Sequence, residues 1–378
     1  MVKLVKTIAY ADLTWPEVAA LPRDWPMLVP LGLAEYDLAS AFPKNAVEGV
    51  ILLPAIPYGF SREDGDPLAA LHVTPALLKR VLLGIRRELY TQGFQRVVFL
   101  IGYGDQGIKA RDLEFIQTPT LSQVHSSWPE QLNNRVIVVN TGHTEQHGYH
   151  LPLSTDSLIV ERLSKGIQDK IFQEVFCLPV WPYGVSTHTR EFPATLNIGG
   201  RVFEDFFLAI VDRLVSQGAE MVYFSNGHGG NHSFLVNVVK YAGERHPQTF
   251  IATEWLHTTG PALERYRESK TGGMGHGGEL ETSYMLYIRP DLVHMERART
   301  ETDFVSTPNY YMDWIEAGSL VANPPWSDDT SSGIYGDGRL GSAEKGRKWF
   351  EAALEEKVNS LREVREQHLR RQLKRREG

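Results

Sequence analysis

Short apolar runs alternate with longer amphipathic stretches in the central part of the chain. Apolar runs predict strands at 135–140 (RVIVVN), 175–180 (VFCLPV) and 221–226 (MVYFSN). Between them, apolar residues recur at helical spacing over 156–171 and 203–218, and the second stretch ends at a glycine suited to a helix C-terminus. Strands that alternate with helices in this way predict an α/β fold with a mostly parallel sheet and helices on both faces.

The last part of the chain, from Ser342 to Gly378, is highly charged. Its apolar residues recur every three to four positions, which predicts one amphipathic helix. These residues are Trp349, Phe350, Leu354, Val358 and Leu361. A solvated helix end explains the final basic run, LRRQLKRREG, better than a nucleic-acid interface does, because the whole chain carries a net charge of −7.

The N-terminal third repeats part of the central pattern. LPAIPYGFS at 53–61 shares six of nine residues with LPVWPYGVS at 178–186, at an offset of 125. The same offset aligns TQGFQRVVFLIGYG with SQGAEMVYFSNGHG, without a gap. Further upstream, GLAE at 32–35 aligns with GHTE at 142–145 if about fifteen residues are missing from the first copy. A shared offset over such a length predicts an internal duplication.

Composition is that of an ordinary globular protein. The chain has 378 residues, of which 42% are hydrophobic and 22% charged, a length that suits two domains or one large α/β body. No apolar run approaches the roughly 20 residues of a membrane helix, and the N-terminus lacks the features of a secretory signal. We predict a cytoplasmic protein that binds neither nucleic acid nor membrane. Cys177 is the single cysteine, which excludes an intramolecular disulfide and a cysteine-based zinc site.

The loops that follow the predicted strands carry the candidate chemistry. In parallel α/β sheets, ligands bind where loops leave the carboxyl ends of the strands. The loop GHTEQHGYHLPLSTD at 142–156 contains Glu145, His147 and Asp156, and its glycines permit the curvature needed to aim two side chains at one ion. Asp156 begins a predicted helix, where it could instead cap free backbone N–H groups. His228 lies in NGHGGN, among small residues that leave little packing around a structural histidine.

A further cluster, GGMGHGGELETS at 272–283, places His276 in a glycine-rich loop before a predicted helix. Glu279 and Glu281 point to different faces of that helix, so at most one should join a common site, and the other would complement the helix dipole. Two histidines with three or four carboxylates suit one or two ions such as Zn²⁺ or Mn²⁺ better than Ca²⁺ or Mg²⁺.

Five segments together resemble, in order, the signature blocks of the creatininase (creatinine amidohydrolase) family. They are TEQHGYHLPLSTD, PYGVSTH with FPATLNIG, NGHGGN, HGGELETS and GDGRLGSAEKG, and they lie within about residues 135–346. The resemblance implies a three-layer α/β/α creatininase-like fold with two divalent metal ions per chain, Zn²⁺ or Mn²⁺, with Fe²⁺ as a further option. The implied ligands are Glu145, His147, Asp156, His228 and Glu281, with Asp156 shared between the ions.

The resemblance also implies roles around the metals. His276 and Glu281 match catalytic positions, and His276 would exchange protons with the substrate or leaving group. In creatininase a glutamate stands at the position of Gly230, so creatinine itself is not the expected substrate. We expect the pocket to be lined by four aromatic residues, although such residues are more often part of a core. These four residues are His188, Tyr183, Trp181 and Trp255.

We therefore predict a hydrolase that uses metal-bound hydroxide to attack the carbonyl of a small cyclic amide, an amide or an activated cyclic ketone. The alternatives are a hydrolase or isomerase of a keto-inositol or keto-sugar, and a non-catalytic metal-binding scaffold. We expect residues 126–378, including the C-terminal helix, to form the catalytic unit. Residues 1–125 are expected to bind no metal, because they offer Glu35, Asp37 and Tyr103 at the ligand positions. Family resemblance also suggests a homo-oligomer.

Overall fold

The computed structural model describes residues 6–42, 47–61, 67–102, 106–108, 111, 113–118, 120–123, 132, 134–257, 259–313 and 318–377. Tyr103 lies outside these ranges. The strands are β1 Lys6–Ala9, β2 Met27–Leu31, β3 Ala34–Tyr36, β4 Gly49–Leu52, β5 Val97–Ile101, β6 Glu114–Gln117, β7 Thr120–Gln123, β8 Val136–Thr141, β9 Val175–Cys177, β10 Met221–Asn226, β11 Phe250–Trp255, β12 Thr300–Glu301 and β13 Gly336–Asp337. The α-helices are α1 Trp15–Ala19, α2 Leu38–Ala41, α3 Pro75–Thr91, α4 Thr155–Ile171, α5 Gly200–Ser216, α6 His232–Arg245, α7 Pro261–Tyr266, α8 Glu279–Ile288 and α9 Ala343–Glu377.

Two parallel sheets organise the chain. The N-terminal sheet has the strand order β1-β4-β2-β5-β6, and the second sheet has the order β11-β10-β8-β9. Every pair of neighbouring strands in these two sheets is parallel. Two antiparallel pairs, β3 with β7 and β12 with β13, lie outside them.

The second sheet is apolar on both faces because its strands alternate between two cores. In β8, Val136 and Val138 pack with α4, α8 and α9, whereas Ile137 and Val139 pack with α5 and α6. Side chains of successive strand residues point to opposite faces, so a strand covered by helices on both sides must be apolar throughout. The predicted α/β fold with helices on both faces is confirmed. The strand predicted at 175–180 ends earlier, at Cys177, because Pro179 has no backbone N–H to donate to a ladder.

One hydrophobic core joins the two sheets. It contains the inward residues of β2 and β5, the apolar face of α3, and the apolar face of α5. Gly84 of α3 lies so close to the backbone of Ile198 that an added Cβ would be 3.1 Å from its carbonyl oxygen, which allows the N-terminal unit to pack tightly against the second. None of the helices in the described part of the chain has the length and apolar content that crossing a bilayer requires.

Candidate metal centre

The loop after β8 carries two of the predicted ligands. Its path is fixed by backbone hydrogen bonds, including one from the Glu145 N–H to the Leu153 carbonyl at 3.0 Å. Gly148 adopts a φ of 69°, in the left-handed region that favours glycine, and this turn returns the chain towards α4. The carboxylate of Glu145 and the ring of His147 are both fully buried. The loop therefore points its ligand-type side chains into the protein.

Asp156 lies between two histidines, which belong to the loops that follow two different strands. Its Oδ1 is 3.2 Å from Nε2 of His147, and its Oδ2 is 3.1 Å from Nδ1 of His228. Asp156 is the second residue of α4, and the helix begins where β8 and β10 end side by side in the sheet. Each carboxylate oxygen thus faces a different imidazole, so the carboxylate is aimed at the histidines rather than at the helix N-terminus.

Two further carboxylates complete the cluster. Oε2 of Glu145 is 3.0 Å from Nδ1 of His228, and Oε2 of Glu281 is 3.7 Å from Nε2 of His147. The cluster therefore has two halves that share Asp156. Ligand atoms of His147, Asp156 and Glu281 all lie within 4.8 Å of one another, a spacing that suits a bound metal ion.

The second nitrogen of each of these histidines donates to a backbone carbonyl. Nδ1 of His147 donates to the carbonyl of Glu145 at 3.0 Å, and Nε2 of His228 donates to the carbonyl of Val185 at 3.0 Å. A carbonyl oxygen can only accept, so the proton of each neutral ring is on the nitrogen that faces away from the cluster. The lone pair of each ring is therefore directed at the carboxylates, which is the arrangement that metal-binding histidines adopt.

Hydroxyl and backbone donors orient the carboxylates. Oε1 of Glu145 accepts from the hydroxyls of Ser186 at 2.5 Å and Thr189 at 3.3 Å, which leaves Oε2 for the cluster. Oε2 of Glu281 accepts the N–H of Gly277 at 2.6 Å. Glu279 instead points away, where it accepts from Nζ of Lys345 at 2.6 Å. The helix geometry thus separates the two glutamates, and Glu281 is the one in the cluster.

Burial and mutual charge strongly shift the pKa values. Burial opposes charge on His147, but the adjacent Asp156 outweighs it and raises the pKa of His147 to about 9. Burial, together with the charges of Asp156 and Glu145, raises the pKa of Glu281 to about 7. For Glu145, burial is outweighed by His228 and His276, which hold its pKa well below the usual range. Without metal, His147 and Glu281 hold protons in the positions where cations would bind, while Glu145 stays charged.

When His147 and His228 are neutral, as metal binding requires, three buried atoms of the cluster lack hydrogen-bond partners among the residues that the structure describes. They are Oε2 of Glu145, Nε2 of His147 and Oδ2 of Asp156. A buried polar atom without a partner costs about 1–3 kcal/mol, so native structures rarely keep several together. Divalent cations would satisfy all three atoms at once. The donor set therefore fits metal ions.

His276 and His188 lie beside Glu145. Nε2 of His276 donates to the carbonyl of Gln146 at 2.6 Å, so its Nδ1, 3.9 Å from Oε2 of Glu145, presents a lone pair to the cluster. Burial lowers the pKa of His276 to about 3, which keeps the ring neutral. His188 has 19% of its side chain exposed, and its Nε2 is 3.9 Å from Oε1 of Glu145.

The other predicted pocket residues lie elsewhere. Trp181 packs in the core against Phe206, with ring centroids 4.1 Å apart, and the hydroxyl of Tyr183 donates to the carbonyl of Pro54 at 2.5 Å. Trp255 ends β11 and packs edge-on against His257. Of the four residues predicted to line the pocket, His188 is the one that contacts the cluster directly.

Two residues near the cluster were not anticipated. Trp326 contacts the rings of His188 and His276, with ring centroids 4.2 and 5.1 Å apart. It begins a short 3₁₀ helix, Trp326–Asp328, and no sequence pattern reveals its position. His143 offers a ring nitrogen within 4.8 Å of ligand atoms of Glu145 and His228. The sequence could have indicated His143, because residues 143, 145 and 147 are each two apart and would share one face of an extended chain.

Gly230 has no room for a side chain. An added Cβ would lie 2.1 Å from the carbonyl oxygen of Val185 and 2.5 Å from Nε2 of His228. The glutamate that the family resemblance implies for creatininase at this position could therefore be accommodated only if both the Val185 carbonyl and His228 moved.

Comparisons with known proteins relate the chain to one family. The family model described as Creatininase: Creatinine amidohydrolase matches residues 11–111 and 124–361. The chain is 27% identical over 251 residues to a mycofactocin precursor peptide peptidase of Mycobacterium ulcerans (strain Agy99), covering 65% of this chain and 89% of that protein. It is 26% identical over 271 residues to a 3-dehydro-scyllo-inosose hydrolase of Thermotoga maritima, covering 67% and 84%. A creatinine amidohydrolase of Pseudomonas putida is 26% identical over 243 residues, covering 60% and 89%.

Solved structures of creatininases share the fold. A structure described as Creatininase Mn superposes with a TM-score of 0.51 at 22% identity, covering 61% of this chain and 91% of that one. A mutant creatininase complexed with creatine gives a TM-score of 0.52 at 22% identity, covering 61% and 92%. Because the family model matches most of its length, this chain belongs to the creatininase family of metal-dependent amidohydrolases.

Proposed function

We propose that the protein is a hydrolase that uses two divalent ions, Zn²⁺ or Mn²⁺, to attack the carbonyl carbon of a small substrate. The observation that carries the proposal is Asp156, whose two carboxylate oxygens face His147 at 3.2 Å and His228 at 3.1 Å. Glu145 would complete one site and Glu281 the other. A pair of ions held in this way polarises a carbonyl oxygen and makes a water molecule acidic near neutral pH.

His276 would move the proton in this reaction. Its Nε2 is fixed by the carbonyl of Gln146, so Nδ1 is the atom that can accept a proton on the cluster side. Because Nδ1 carries a lone pair 3.9 Å from Glu145, His276 would first take a proton from water and then deliver it to the leaving group. Glu281 would be a ligand whose carboxylate is held in place by the N–H of Gly277.

The substrate would approach beside His188. Its side chain is 19% exposed, while those of the ligands are at most 4% exposed, so this side of the cluster is the most open to a small molecule. Trp326 packs against both His188 and His276 and would form an apolar wall there. We propose a cyclic amide, an amide or an activated cyclic ketone as substrate, since the relatives' names cover a peptide precursor, an inosose and creatinine.

A substrate panel tests the proposal. Lactams, formamides, short peptides and cyclic keto-polyols would be incubated with the zinc- or manganese-loaded protein in oxygen-18 water, and products identified by mass spectrometry. We expect one class to gain the mass of one labelled water, and chelator or Asp156→Asn to abolish the product. A product with the formula of its substrate would identify an isomerase instead. Activity that survives both chelator and Asp156→Asn would overturn the proposal.

We also propose that residues 1–125 are a copy of the catalytic unit that has lost its metal. Both sheets place corresponding strands in the same order, β4-β2-β5-β6 and β9-β8-β10-β11. Helices Pro75–Thr91 and Gly200–Ser216 are related by the offset of 125 found in the sequence. Asp37 accepts the N–H of Ser40 and so caps a short helix. The first copy would take the place of a neighbouring subunit beside the catalytic unit, within a homo-oligomer.

A further inference from the structure

His143 stands at the metal cluster but is oriented unlike the other histidines there. It is fully buried, and its ring centroid is 4.5 Å from that of His228. One of its ring nitrogens lies within 4.8 Å of ligand atoms of Glu145 and His228. Proximity alone would make it a third protein ligand for an ion at Glu145.

Its hydrogen bonding argues against that role. Nδ1 of His143 accepts the backbone N–H of Gly184 at 2.8 Å, so Nδ1 holds a lone pair and the ring proton must be on Nε2. In His147 and His228 the outer nitrogen donates to a carbonyl, which leaves a lone pair for metal. In His143 the outer nitrogen accepts, which leaves an N–H. His143 can therefore offer the cluster a hydrogen-bond donor but no ligand atom.

That donor is unused by the protein. Nε2 of His143 is buried and has no hydrogen-bond partner in the described ranges of the chain. A buried N–H without an acceptor is unfavourable, so its natural partner is an oxygen atom that enters the cluster. The groups that act on His143 through their charge are Glu145, Asp156, His147 and His228. Each of these would hold an ion, so the Nε2–H of His143 is a donor that a substrate oxygen could use in addition to the ions.

We propose that His143 is a catalytic residue whose Nε2–H donates to the carbonyl oxygen of the substrate. The inference rests on the proposed hydrolase function. As water adds to the carbonyl carbon, a C–O bond forms, an O–H bond of the water breaks as its proton passes to Nδ1 of His276, and the π electron pair moves to the carbonyl oxygen. His143 keeps its proton throughout and stabilises the negative charge that grows on that oxygen, as the donors of an oxyanion hole do.

Two substitutions separate this role from a structural one. His143→Leu keeps bulk but removes both the acceptor for Gly184 and the donor. His143→Gln retains both, because its amide oxygen can accept the N–H of Gly184 while its NH₂ donates to the cluster. On the substrate identified by the panel, we expect His143→Leu to lower kcat by about 10²–10³-fold with a smaller change in KM. His143→Gln should recover at least tenfold of that loss.

Two measurements do not need a substrate. Metal analysis should find two equivalents in both variants, as in the unmodified protein. In ¹H–¹⁵N spectra of the histidine rings, zinc should shift the Nδ1 resonance of His228, which serves as the internal control. The Nε2–H signal of His143 should remain. Loss of one metal equivalent in His143→Leu, or loss of the Nε2–H of His143 on zinc loading, would show a ligand and overturn the inference. An unchanged kcat in a folded His143→Leu variant would also overturn the inference. If no substrate of the panel is hydrolysed while His143 keeps its Nε2–H in the zinc-loaded protein, the result counts against the proposed function and not against the orientation of His143.

Discussion

Adding one methyl group at Gly230 should weaken the binding of one metal ion without removing a ligand. In Gly230→Ala, the new Cβ would lie 2.1 Å from the carbonyl oxygen of Val185 and 2.5 Å from Nε2 of His228. These two atoms are joined by the hydrogen bond of 3.0 Å that turns the lone pair of His228 towards Glu145 and Asp156. Because carbon and oxygen do not approach within 3 Å without repulsion, the bond must break or His228 must rotate.

The expected loss of metal affinity follows from the role of the hydrogen bond between His228 and Val185. Loss of a partner that orients a metal-binding histidine typically weakens metal affinity 10- to 100-fold, or roughly 1.4–2.8 kcal/mol. The loss should fall on the ion held by His228 and Glu145. The ion held by His147 and Glu281 should be weakened less, because those side chains are fixed by separate hydrogen bonds.

Competition of metal-free protein with a chelating dye for zinc would measure both affinities. Gly243→Ala is the matched control, since no described atom lies within 4 Å of an added Cβ there and alanine is favoured in a helix. We expect the control to bind two ions with unchanged affinity and Gly230→Ala to bind one of them 10- to 100-fold more weakly. If both zinc affinities were unchanged in Gly230→Ala, the claim that Val185 orients His228 for metal binding would be refuted.

Three further outcomes follow from the structure. Urea unfolding with chelator should show the metal-free protein losing stability as pH rises from 6.5 through 9. The raised pKa of His147 means that its pairing with Asp156 is complete below 6.5 and lost as pH rises through 9, and the raised pKa of His228 acts in the same direction; a flat profile would contradict this. Trp181→Ala should lower the free energy of unfolding by roughly 3–5 kcal/mol while folded protein keeps its metal; an altered KM at unchanged stability would instead make Trp181 a pocket residue. Glu35→Ala should leave metal content unchanged by elemental analysis, and a lost equivalent would refute the proposal of a metal-free first copy.

The ligand-type residues could be found from the sequence because they occupy short motifs at strand ends. Parallel strands β8 and β10 end side by side, so residues that follow them must meet, as His147 and His228 do through Asp156. Helical geometry likewise predicted that Glu279 and Glu281 would separate, and the identity of the one in the cluster then depended on how α8 packs.

Other features depend on contacts distant in the chain, which no local pattern records. Trp181 and Tyr183 resemble pocket residues because they flank a conspicuous turn, but their neighbours Tyr58 and Pro54 belong to the N-terminal unit, and the interface between units buries them. The orientation of His143 is set by a backbone N–H at residue 184. Only the folded chain reveals such partners.

Anomalous diffraction from crystals of the zinc-loaded protein would test the metal centre most directly. The account predicts two peaks, one on each side of the Asp156 carboxylate and each within about 2.0–2.2 Å of its protein ligands. One peak should lie beside Glu145 and His228, and the other beside His147 and Glu281. Crystals that bind no zinc at Asp156 after loading, or that hold it only outside this cluster, would contradict the account.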